Sequence, residues 1–187
     1  MEERKMKTSM MKMMLAAVVA VGTLGATVPV PQMSDDAIAA KAVHEIRMYT
    51  RYTIWDNVNL RVKDGSVELI GQVSQPFKKA DMGRLMQRIE GVTGVTNNLE
   101  VLPLSPFDDD LRIRIARAIY REPALSRYAI QAVPPIHIIV NNGRVTLEGV
   151  VNNELEKNVA GMRAATAGLS LGQVVNNLRV ENPKKKG

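Results

Sequence analysis

The residues best equipped for chemistry lie in the segment from Asp108 to Pro123, DDDLRIRIARAIYREP. Wound as a helix at 100° per residue, it places Leu111, Ile115, Ala118 and Ile119 on one stripe. Arg114, Arg117 and Arg121 gather on another face, with Ile113 and Tyr120 beside them. A guanidinium binds phosphate in bidentate fashion, and neighbouring apolar side chains can enter a membrane interface, so this row suits anionic headgroups. The same row also reads as a solvated charged face. Lys184, Lys185 and Lys186 would add about 1 kcal/mol per charge near an anionic membrane, or form a solubilising tail. Around the end of an earlier helix stand Arg47, Tyr49, Arg51, Tyr52 and Trp55. These aromatics suit either a membrane interface or a seal between two packed units.

Other chemistries lack their raw material. The 187 residues include no Cys, which excludes disulfides, thiolate ligands, Cys nucleophiles and a lipidated cysteine. His44 and His137 have no obvious Ser, Asp or Glu partner. Asp108-Asp109-Asp110 lacks the alternating ligand spacing of a calcium loop and stands where a helix would be capped. Phosphate loops, paired carboxylates in a recognisable frame and nucleophile elbows are missing from the sequence. The chain is therefore read as non-enzymatic, with no catalytic residue, cofactor or metal expected. At 45% hydrophobic and 24% charged it has a globular composition, and with 4% aromatics its core must be aliphatic.

Residues 1–26 have the layout of a secretory signal peptide: Arg4, Lys5, Lys7 and Lys12, then an uncharged apolar run from Met13 to Ala26. The run is shorter than the ~20 residues of a membrane-spanning helix, and Pro29 and Pro31 follow it. Cleavage is expected near Ala26, although none of the sites is a clean A-x-A. The product would be periplasmic, not a lipoprotein, with its net charge reduced from +6 to +4. The pI of about 9.7 raises nucleic-acid binding, but export and so modest a charge argue against it.

The remainder reads as one unit written twice. KDGSVELIGQV at residues 63–73 aligns with NNGRVTLEGVV at 141–151, an offset of 78, and VTNNLEV at 95–101 with VVNNLRV at 174–180, an offset of 79. Upstream, Asp36, Ile38 and Ile46 match Asp109, Leu111 and Ile119 at an offset of 73, leaving about five extra residues near Ala132 to Pro135. Each copy opens with an amphipathic helix capped by Asp35 or Asp36, or by Asp109 or Asp110. A hairpin follows, turning at Asp64-Gly65 or Asn142-Gly143, where glycine allows positive φ. Gly71 and Gly149 suit a bulge or a close helix approach. A second helix runs from Pro76 to Ile89 with Ser74 as cap, or from Asn153 to Ala167 with Asn152 as cap, and a last strand closes each copy. The fold class is α+β: two tandem α-β-β-α-β modules, each a small three-stranded mixed sheet with two helices on one face. The last strand should run parallel to the second, because a βαβ crossover is right-handed. The strand order is left open.

These motifs, DGxVxLxGxV and the GVxxVxNxLxV closing strand, resemble the BON domain of bacterial osmotic-stress and nodulation proteins in both copies. The second copy departs from the pattern at Asn142 and at Ala167 to Val174. The expected organisation is signal peptide 1–26, disordered linker 27–34, BON domain 1 at 35–102, linker 103–107, BON domain 2 at 108–181 and basic tail 182–187. The motif residues Asp64, Gly65, Gly71, Asn142, Gly143 and Gly149 are read as structural. The resemblance implies a transport-associated periplasmic protein that binds anionic phospholipid surfaces peripherally and supports envelope integrity under osmotic or other stress. The alternative is a protein-interaction or chaperone-like adaptor for an envelope protein.

Overall fold

The structure is a computed structural model describing residues 33–168 and 174–181. The expected signal peptide with its cleavage site, most of the linker 27–34 and the basic tail 182–187 lie outside the described residues. Each copy follows the expected order. The first consists of α1 (Asp35–Met48), β1 (Asn57–Lys63), β2 (Ser66–Val73), α2 (Pro76–Gln87) and β3 (Gly94–Val101). The second consists of α3 (Pro106–Tyr120), β4 (Ile136–Asn141), β5 (Arg144–Val151), α4 (Glu154–Ala167), then β6 (Val174–Asn176) and β7 (Arg179–Val180).

In each sheet the second strand is central. β1 pairs antiparallel and β3 parallel with β2, giving the order β1-β2-β3. β4 pairs antiparallel with β5, while β6 and β7 both pair parallel with it. β6 and β7 are one closing strand interrupted at Asn177-Leu178 without a slip in register: Val145 faces Val174 before the break and Val150 faces Arg179 after it. The Asn177 N–H still donates to the Leu147 carbonyl at 2.9 Å across the break.

The alternation read from sequence separates core from surface. Val67, Leu69 and Val73 join Ile38, Ala42 and Ile46 of α1, Met82 and Met86 of α2, and Leu99. The second core repeats this with Val145, Leu147 and Val151, Leu111, Ile115 and Ile119, Ala160 and Ala164, and Leu178. The longer connection between α3 and β4 in the second copy is not spare loop. It carries a 3-10 turn, Ser126–Tyr128, and buries Leu125 and Tyr128 in that core.

The glycines have a specific cause. At both hairpin turns the φ values are positive, 51° and 75° for Asp64-Gly65 and 51° and 77° for Asn142-Gly143, so Asn serves as well as Asp. At Gly71 and Gly149 the close approach is not a helix: an added Cβ would lie 2.1 Å from the Asn57 carbonyl oxygen and 1.9 Å from that of Pro135, backbone at the neighbouring strand.

The caps also differ from expectation. Ser34 and Ser105 are the N-caps, accepting from the Ala37 and Asp108 amides at 3.3 and 3.2 Å. The carboxylates of Asp35 and Asp108 instead receive the amides of Asp64 and Gly65, and of Asn142 and Gly143, at 2.8–2.9 Å. α3 thus begins inside the expected linker 103–107, with Pro106 in its first turn. Gln75 and Asn153, rather than Ser74 and Asn152, occupy the caps of α2 and α4, because Ser74 and Asn152 are drawn into buried polar clusters.

The two copies touch. The Ile138 N–H donates to the Ile54 carbonyl at 2.7 Å, Ile54 and Trp55 pack against the second core, and the Tyr52 ring lies 5.4 Å from that of His137. Accordingly Ile136 through Val140 are buried at every position, both faces of the strand included.

Candidate anion-binding face

α3 buries Leu111, Ile115 and Ile119, which leaves Ile113, Arg117 and Arg121 as an exposed stripe at i, i+4 and i+8. Ile113 is 44% exposed and stands beside the two arginines. Arg114 is turned toward Asp110 at 3.0 Å, partly neutralised and half-buried. Tyr120 does not join the row. Its hydroxyl donates to the Ile136 carbonyl at 2.6 Å, and burial pushes its pKa up, so it belongs to the second core.

The structure adds a residue that the sequence reading did not include. The C-terminal ends of α3 and α4 enclose a depression of about 400 Å³ bordered by Arg117, Arg121, Glu122, Arg163 and Thr166. Arg163 pairs with Glu122 across it. Three guanidiniums against one carboxylate leave two positive charges uncompensated. The two helix C-termini present about half a negative charge each, which removes about one of them. The balance still favours a bound anion. Periodicity along α3 alone could not find Arg163, because its approach depends on how α4 crosses α3.

The three aspartates diverge: Asp108 binds the hairpin turn, Asp109 pairs with Arg112 and Asp110 with Arg114. Arg112 is itself buried, donating to the Val140 carbonyl at 2.6 Å, which ties the helix to the end of β4. His44 is exposed, whereas burial lowers the pKa of His137 and leaves its Nδ1 without a hydrogen-bond partner.

The expected turn residues hold the scaffold, and a second pair of motif residues does so too. Asn97 and Asn176 reach inward to donate to the Lys79 and Lys157 carbonyls at 2.7 and 2.8 Å. Their amide nitrogens would stand only 3.0 and 2.7 Å from a Cβ at Gly83 and Gly161, so a larger residue there would push on these hydrogen-bonded side chains. Asn98 and Asn177 turn outward to Glu68 and Glu148 at 2.9 and 2.8 Å.

Residues 34–103 and 108–182 each match the protein family described as BON domain. No curated protein matches the chain. Among solved structures it is similar to the C-terminal domain of CdsD, a structural protein of the type III secretion system of Chlamydia trachomatis, at 15% identity and a TM-score of 0.29. That likeness covers 74% of this chain and 64% of the other, so the chain spans less than two thirds of it. A second structure of CdsD is similar at 13% identity and a TM-score of 0.26, covering 76% of this chain and 93% of that one.

Proposed function

The chain belongs to the BON-domain family, with two copies in tandem, and from that premise we propose that it is an exported envelope protein whose second domain binds anionic phospholipid peripherally. The observation that carries this reading is the exposed Ile113-Arg117-Arg121 stripe beside Arg163, where helix ends and guanidiniums of the second domain border a depression. Each arginine held near an anionic surface contributes about 1 kcal/mol, and Ile113 can bury its side chain at the headgroup boundary. Arg114 supplies a further charge from the partly neutralised flank of the same helix. No helix among the described residues is long and apolar enough to cross a membrane, which suits peripheral contact. Export rests on residues 1–26 as a signal peptide, and the role in envelope integrity under stress rests on family membership.

Co-sedimentation of the purified chain with phosphatidylglycerol-containing and purely phosphatidylcholine vesicles, at low and high salt, tests this. Binding should require the anionic lipid and weaken steeply with salt. Arg117→Glu with Arg121→Glu should abolish it while the fold is retained. Equal binding to both vesicles, or binding that survives the double substitution, contradicts the proposal.

A further inference from the structure

A second concavity, of about 600 Å³, lies over the polar face of the β4-β5-β6 sheet and shares no residue with the arginine depression. Arg144, Thr146 and Glu148 line it at alternate positions of β5, so their side chains stand on one face. Asn141 faces Arg144 across the ladder, Asn177 comes from the closing strand, and Gln72 reaches in from the first domain. Its volume falls within the range of small-molecule sites, about 300–1,000 Å³.

The hydrogen-bonding capacity of this cleft is largely unspent. Asn177 binds one oxygen of Glu148 at 2.8 Å, and Asn142 binds the Asn141 side-chain oxygen at 3.0 Å. Among the described residues, the Arg144 guanidinium, the Thr146 hydroxyl and the Gln72 amide have no hydrogen bond or ion pair. On the corresponding face of the first domain the charged groups are paired: Glu68 takes both Arg61, at 3.6 Å, and Asn98, at 2.9 Å. Thr146 stands at the Glu68 position and Ile139 at the Arg61 position, which dissolves that arrangement in the second domain.

We infer that this interdomain cleft binds a neutral oligosaccharide. One arginine and one glutamate cancel in charge, so a net ion gains little there. Side-chain amides donate and accept in a single plane, matching adjacent hydroxyl and acetamido groups. Arg144 to Glu148 spans about 13 Å of strand, the reach of a short oligosaccharide rather than a single ring.

The test titrates the isotope-labelled chain with triacetylchitotriose, with trialanine as the comparison, following backbone amide shifts. Saturable shifts confined to β4, β5 and the Gln72 region, given by the trisaccharide and not by the peptide, are expected. Thr146→Val and Gln72→Ala should each weaken binding about two- to tenfold, while the rest of the spectrum stays in place. Arg144→Ala, at an exposed side chain, gives a third variant independent of packing. The inference is overturned by an absence of saturable shifts at millimolar trisaccharide, by equal shifts with trialanine, or by binding that all three variants leave unchanged.

Discussion

Lys78 and Glu156 occupy the same place in the two domains, the third residue of the second helix, yet carry opposite charge. Both are buried, at 4% exposure each. In the first domain Asp56, from the connection before β1, binds the Ser74 amide at 2.8 Å and Lys78 at 2.6 Å, with the Thr53 amide and hydroxyl completing its shell. In the second, Glu156 itself binds the corresponding Asn152 amide at 3.0 Å and takes the Tyr128 hydroxyl at 2.5 Å and the Arg127 guanidinium. The fold thus requires a carboxylate at that backbone amide and leaves open which element supplies it.

The helix dipole explains the different partners. A cation at a helix N-terminus is disfavoured and an anion favoured, so Lys78 needs a full buried carboxylate while Glu156 is content with a neutral phenol and an exposed arginine. Burial alone would raise both acids. The hydrogen bonds from Lys78, Ser74 and Thr53 outweigh it at Asp56, and those from Tyr128 and Asn152 with the Arg127 charge outweigh it at Glu156, holding both below the ordinary carboxylate range.

Breaking the first centre should cost most. Lys78→Met leaves Asp56 charged, buried and without its cation, and is expected to destabilise the chain by about 3–5 kcal/mol in urea unfolding followed through Trp55, the only tryptophan. If the loss is below about 1 kcal/mol, the ion pair is not what the first domain depends on. Glu156→Gln keeps the shape and loses the charge, for an expected loss of about 1–3 kcal/mol in the same assay. Tyr128→Phe should cost about 0.5–1.5 kcal/mol, because Arg127 still faces Glu156. A Tyr128→Phe loss equal to that of Lys78→Met would erase the distinction between the centres.

Acid should separate a third effect. The folded chain holds His137 neutral by burial, so the unfolded chain binds the proton first, and stability should begin to fall as pH drops below the ordinary imidazole value of 6.5. The stability carried by Asp56 and Glu156 is present above their ordinary values of 3.8 and 4.5 and is lost as pH falls through their lower folded values. Two acid phases are therefore expected, and His137→Gln should remove only the upper one. Persistence of that upper phase in the variant would assign it elsewhere.

The hairpins, the strand faces and the doubling were legible because they are written in local periodicity and in glycines that backbone geometry demands. The parallel closing strand followed from crossover handedness. The Asp56–Lys78 pair was not legible: the two residues are far apart in sequence, and the repeat alignment puts a glutamate opposite Lys78 and Pro134 opposite Asp56. The caps were missed because a serine next to aspartates leaves two candidate oxygens, and the aspartates are claimed by a turn about thirty residues away. At the candidate site the Arg117-Arg121 stripe was readable from spacing. Tyr120 was not, since its hydroxyl is fixed by a strand elsewhere in the chain, and Arg163 is brought in by helix packing.

The domains also differ on the surface: where the second carries Arg117, Arg121 and Arg163, the repeat alignment puts His44, Met48 and Leu85 in the first. The most direct measurement compares vesicle binding of Arg117→Gln/Arg121→Gln with that of His44→Glu/Met48→Glu on phosphatidylglycerol-containing vesicles at low salt. Both pairs lower the net charge by two at matching exposed helix positions. Loss of binding in the second-domain pair, with a much smaller reduction in the first-domain pair, is the predicted result. Equal loss in both would reduce the interaction to net charge and contradict the assignment of the site to the second domain.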